Sequence, residues 1–154
     1  MNMGSKVLDI NSIIRILPHK PPAILIDQIL ELNAGRRILA KKNVTVNEPH
    51  FDGHYPGLPV YPAPMLLEAM LQTCAVLAYA TDTFDPGTQV VTLNGVNKTK
   101  FHRTVSPGAV IEIEAELTQK RSNIWRFNVQ AYVDDYVIAE SGLVIAVLDR
   151  SDLF

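Results

Sequence analysis

The stretch from Pro64 to Ala80, PMLLEAMLQTCAVLAYA, limits the fold more than any other part of the chain. A helix that is apolar nearly all round must be enclosed by protein or by lipid. This one is slightly shorter than the ~18 residues that suggest a membrane span. It also carries Glu68 and Gln72, and an unpaired glutamate in lipid costs a few kcal/mol. The expectation is therefore a buried helix of a globular domain, with no membrane association.

What encloses the helix must come from the rest of the chain. Downstream, Gln89 to Val96, Lys98 to Val105, Val110 to Gln119, Ile124 to Val133 and Val137 to Leu148 read as strands. VIEIEAELTQ alternates strictly, and Asp134-Asp135 reads as a hairpin turn. Upstream, Ile24 to Leu32 and Arg37 to Val46 read as strands on either side of an Ala34-Gly35 turn. Asp9 or Asn11 caps a short helix through Ile13, Ile14 and Leu17, ended by Pro18. Strands in this order, with little helix between them, imply an antiparallel sheet. The fold class is α+β: an antiparallel sheet wrapped around one long central helix, with residues 1–154 as a single domain.

At 47% hydrophobic and 19% charged residues, the chain has the material for one packed core. Its net charge of −2 provides no basic excess to neutralise phosphates, so no nucleic-acid partner is expected. The single cysteine, Cys74, allows no intrachain disulfide, which suits a reducing cytoplasm. MNMGSKVLDI lacks a cationic segment followed by an apolar run, so no secretory leader is expected.

Residues 47–64, NEPHFDGHYPGLPVYPAP, hold half of the chain's 10 prolines. The segment is expected to form no regular element, and ordered loops of this length are usually functional. His54 lies on this loop, and histidine is the side chain suited to act as a base near neutral pH. Glu68 is flanked by Leu66, Leu67, Ala69, Met70 and Leu71. Burial there would raise its pKa, as a general acid requires. The free N–H groups of the helix start would polarise a carbonyl placed before them. Each residue also has a plain reading: His54 as a structural hydrogen-bonder, Glu68 as the partner of a buried arginine or as a solvent-facing group at a helix end. On residues alone the chain is an α+β enzyme or a binding module. No metal site is expected, since prolines prevent His50 and His54 from sharing a helix face. Cys74 reads as a buried, inert thiol.

The string Gly-His-Tyr-Pro-Gly-Leu-Pro-Val-Tyr-Pro at 53–62, with Glu68 fourteen residues after His54, is more specific than either residue. With ILPHKPPAILIDQILEL before it, and LLEAMLQ and KTKFHRTVSPG after it, it resembles the 3-hydroxyacyl-acyl-carrier-protein dehydratases of the FabZ type. The resemblance implies a hot-dog fold, in a homodimer or a trimer of dimers, with His54 and Glu68 as the catalytic pair, drawn from different protomers. It implies an acyl carrier protein as partner, no metal and no diffusible cofactor. The reaction would remove water from a 3-hydroxyacyl thioester. Ala63, Gly57, Tyr55, Tyr61 and Val60 would surround the substrate or its oxyanion, and Gln72, one turn past Glu68, would orient the carboxyl group. His19 is expected to be structural, and His50 and His102 to be peripheral. Arg103, Lys98 and Lys100 fit a basic rim for the carrier protein.

The pattern departs from the family at Tyr61-Pro62-Ala63-Pro64, where Met-Pro-Gly and an aliphatic residue are usual. Ala63 would narrow the pocket, and it would be strained if its φ were positive. Pro64 has no N–H, leaving Ala63 as the expected oxyanion donor. Other readings stay open: a dehydratase that also isomerises the double bond, a thioesterase, or a catalytically weak scaffold beside a second dehydratase subunit.

Overall fold

The computed structural model describes residues 6–154. Residues 1–5, which begin the stretch expected to lack a leader, lie outside them. The elements run α1 (Ile10–Ile16), β1 (Gln28–Asn33), β2 (Arg37–Asn43), α2 (Ala63–Thr81), β3 (Gln89–Phe101), β4 (Val110–Arg121), β5 (Ile124–Val133) and β6 (Tyr136–Asp149). Two short 3-10 turns, Pro49–Asp52 and Arg150–Asp152, complete the described secondary structure.

The strands form one antiparallel sheet in the order β1-β2-β4-β5-β6-β3. Strict alternation sends Ile111, Ile113 and Ala115 of β4, and Trp125, Phe127, Val129 and Ala131 of β5, into the core. α2 packs against β2, β4, β5 and β3. Met70, Cys74, Val76, Leu77 and Ala78 are fully buried along it. α2 is long and apolar enough to cross a membrane by composition, yet here it is the core helix of the sheet. The result is the α+β architecture expected of a curled sheet around a central helix.

Asp9 caps α1, its carboxylate accepting from Ser12 N–H at 2.9 Å. Asp134 and Asp135 take φ of 48° and 64°. Positive φ at both central residues is what a two-residue hairpin with native twist requires.

Three expectations are corrected. The strand read from Ile24 begins only at Gln28. Residues 24–27 lie in no strand, and Leu25 N–H donates to the side chain of Gln72 on α2. The proline-rich segment does contain a regular turn, because Pro49 occupies its first position, where a missing N–H costs nothing. The two strands expected at 89–96 and 98–105 are one strand, β3. Its pairing with β6 shifts between Leu93 and Gly95 and again between Asn97 and Lys100, and Lys98 has a positive φ. Those bulges break the alternation that would have marked it as continuous.

Leu77 is fully buried in α2, so Leu77→Ala should lower unfolding stability by about 2–5 kcal/mol. Urea titration followed by circular dichroism measures it.

Candidate active site

His54 is presented by a tight loop whose backbone closes on itself. Tyr55 N–H donates to Leu58 O, Leu58 N–H to Tyr55 O, and Val60 N–H to His54 O. Gly57 supplies the positive φ of 74° at the tip, which a residue with a Cβ adopts at a cost. His54 Nδ1 lies 2.8 Å from the Val60 carbonyl oxygen. A carbonyl can only accept, so Nδ1 carries the proton and donates it. Nε2 is thereby left with its lone pair free, as a base requires. The ring of Tyr55 stacks on that of His54 at 4.1 Å.

A cavity of about 640 Å³ opens beside His54. Tyr55, Val60, Tyr61, Ala63 and Leu66 line it from the loop and the helix start, and residues 101–105 line it from the end of β3 and the segment after it. Ala63 is the first residue of α2, with Pro64 second. Ala63 is not among the residues with positive φ, so the strain considered from the sequence does not arise. Pro64 sits where an N–H would have no intrahelical acceptor. Among the described residues, the Ala63 N–H has no acceptor in the chain. It is a free donor at the positive end of the helix dipole.

Glu68 stands on another side of α2. Two residues on a helix are separated by about 200° of rotation, so Leu66 lines the cavity and Glu68 turns away from it. Glu68 Oε1 lies 3.3 Å from His19 Nε2 and accepts from Gln72 Nε2 at 2.9 Å. Gln72 is completely buried. Its Oε1 also accepts from Leu25 N–H at 2.9 Å, and its Nε2 also donates to Ala23 O at 2.8 Å. One amide thus ties segment 23–25 to α2 and fixes the carboxylate. No hydrogen bond or ion pair joins His54 to Glu68 among the described residues.

The pKa expected for Glu68 is reversed. Burial pushes it up, but the hydrogen bonds from His19 and Gln72, together with the His19 charge, hold it below the usual 4.5. His19, expected to be only structural, is the group sequence reasoning passed over. The Leu-Pro-His string marked it, but nothing in the spacing placed it against a residue 49 positions away. Cys74 is fully buried and its thiol is pushed far up by that burial. Tyr61 is buried with its hydroxyl unpaired. His102 pairs with Glu140 at 3.6 Å, and the Arg103 guanidinium lies 4.3 Å over the Tyr136 ring. No cluster of three metal-ligating side chains exists among the described residues.

Because the Glu68 carboxyl is more acidic in the folded protein than in the unfolded chain, it stabilises the fold above the ordinary carboxylate value. That contribution is lost as pH falls through the depressed value. His19→Ala removes the largest opposing group and should raise the Glu68 pKa. The loss then begins at higher pH. Carboxyl-carbon NMR titration of both proteins checks the direction.

The geometry can be compared with known proteins. A family profile described as a FabA-like domain matches residues 17–142. The "3-hydroxyacyl-[acyl-carrier-protein] dehydratase FabZ" of Myxococcus xanthus is 38% identical over 143 residues, spanning 93% of this chain and 94% of the relative. The protein of the same name from Syntrophotalea carbinolica is 41% identical, with 94% and 97% covered. Among solved structures, the dehydratase heterocomplex ApeI:P of Xenorhabdus doucetiae superposes with a TM-score of 0.78 at 16% identity, covering 92% of this chain and 93% of that one. A thioesterase mutant from Pseudomonas aeruginosa gives 0.60 at 14% identity, covering 80% and 81%. These two share the fold, which is the hot-dog fold, while the family profile and the sequence relatives place the chain more narrowly: it belongs to the FabA-like dehydratase family, on its FabZ side.

Proposed function

We propose that this protein dehydrates 3-hydroxyacyl thioesters carried on acyl carrier protein, giving the trans-2-enoyl product for fatty acid or related polyketide synthesis in the cytoplasm. The single observation that carries the reading is the state of His54. Its Nδ1 is committed to the Val60 carbonyl at 2.8 Å, and its ring lines the cavity at the start of α2.

His54 Nε2 takes the C2 proton beside the thioester carbonyl. The electron pair of that C–H bond becomes the C2–C3 double bond as the C3–O bond breaks. Charge developing on the carbonyl oxygen is met by the Ala63 N–H, and a donor of this kind is worth about 10²–10³ in rate. Glu68, held ionised by His19 and Gln72, accepts a hydrogen bond from the C3 hydroxyl and orients it. The imidazolium returns its proton to the departing oxygen, which leaves as water. Neither metal nor diffusible cofactor enters these steps.

The opposed faces of α2 support a second copy as the source of the Glu68 that meets a given His54. The open edge of β3 suits that assembly. It is long, and Leu93, Val96 and Phe101 are exposed along it; an unpaired apolar edge favours pairing with another strand. A homodimer, alone or within a trimer of dimers, joins two sheets there. The scaffold reading rested on Ala63-Pro64. Both residues sit in ordinary helix geometry, which leaves the catalytic reading ahead.

His54→Ala and Glu68→Gln should each lower turnover of 3-hydroxybutyryl- and 3-hydroxyoctanoyl-carrier protein by about 10²–10⁴, followed as loss of water by intact mass. Mixing the two inactive variants under conditions of subunit exchange should restore activity, because one site of each mixed dimer is intact. No recovery in a demonstrably mixed dimer would place both residues in one protomer.

A further inference from the structure

Beneath the catalytic loop lies an ion pair between a buried lysine and a half-buried glutamate that the chemistry does not use. Lys42, on β2, is 4% exposed. Its Nζ donates to Glu48 Oε2 at 2.9 Å and to Asn43 O at 2.7 Å. The other oxygen of Glu48 accepts from Thr45 N–H at 3.0 Å. A pair buried to this degree is weak support for stability, because desolvating both charges offsets their attraction. Its best-attested use is to fix a position.

Two routes lead from this pair to His54. The first runs through backbone. Glu48 is the N-cap of the 3-10 turn Pro49–Asp52. The Phe51 N–H donates to Glu48 O at 3.1 Å, and the His54 N–H donates to His50 O at 3.0 Å. The second runs through a ring. Lys42 Nζ lies 5.6 Å from the centre of the Tyr61 ring, within the range of a cation–π contact. That ring meets His50 edge-on at 5.2 Å. Tyr61 directly follows Val60, whose carbonyl receives the His54 Nδ1 proton. The backbone of His54 and the acceptor of its ring proton therefore rest on one pair of charges.

We propose that Lys42 and Glu48 are positioning residues that hold His54 as the Nδ1–H tautomer, with Nε2 turned to the substrate. This rests on the reading of His54 as the base. Neither side chain lines the cavity, so their removal acts on turnover rather than on substrate binding.

The test is the double variant Lys42→Met/Glu48→Gln. It removes both charges together and leaves neither stranded, and the glutamine retains an oxygen for the Thr45 N–H. Thermal melting establishes that it folds. Expected is a fall in kcat of about 10–10², the scale of a small misplacement at a reacting centre, with KM unchanged. Imidazole nitrogen NMR should show His54 losing its Nδ1–H preference, its signal assigned by comparison with His54→Gln. Tyr61→Leu keeps both charges and removes the ring that Lys42 contacts; because Tyr61 also lines the cavity, its readout is the His54 tautomer alone, which should shift. A folded double variant with the kcat and tautomer of the wild type overturns the proposal. A wild-type His54 tautomer in Tyr61→Leu overturns it equally where the double variant does not fold. An inactive wild-type protein, or an active His54→Ala variant, instead defeats the reading of His54 itself, and is read in the same assay.

Discussion

Everything in this molecule depends on enclosing α2. A helix buried on nearly every side has no solvent face on which to keep a polar residue cheaply. Each polar group it does carry must find its partners in the protein. Gln72 meets that condition with three hydrogen bonds, to Leu25, Ala23 and Glu68. The need to satisfy one buried amide thus draws in the segment between α1 and β1, and the same amide points the carboxylate. Packing and site geometry here are one arrangement.

The helix start illustrates the complementary case. Its first N–H groups cannot be satisfied inside the helix, and Pro62 offers no side-chain cap. Elsewhere that would be a small defect. Here Ala63, whose N–H is unsatisfied, lines the cavity beside His54, and a developing negative charge is what such a donor can stabilise. Proline at the second position removes a donor that the helix had no internal use for.

Much of this was legible in the sequence. Strict alternation in VIEIEAELTQ and the paired aspartates at 134–135 reported β4 and the β5–β6 hairpin, because each signal is local. The glycine and proline spacing around His54 reported a rigid loop for the same reason. What was not legible depended on distant groups. The sign of the Glu68 shift is set by His19 against burial, and no pattern along the chain brings those two together. The continuity of β3 was hidden by bulges whose register is fixed by β6. The strand expected from Ile24 starts late because residues 23–25 bond to a glutamine side chain in place of a ladder. The packing of Tyr61 over Lys42 arises from the loop folding back onto β2.

Cys74 has a use unrelated to chemistry on thioesters. It is the chain's single cysteine, it is fully buried near the middle of α2, and burial keeps it as the unreactive thiol. A thiol reagent can reach it only when the sheet parts from the helix. Its labelling rate is therefore a clock for excursions of the core, which sit at the high end of a protein's range of opening energies. Bound substrate or a paired subunit would slow that clock without touching the sulfur.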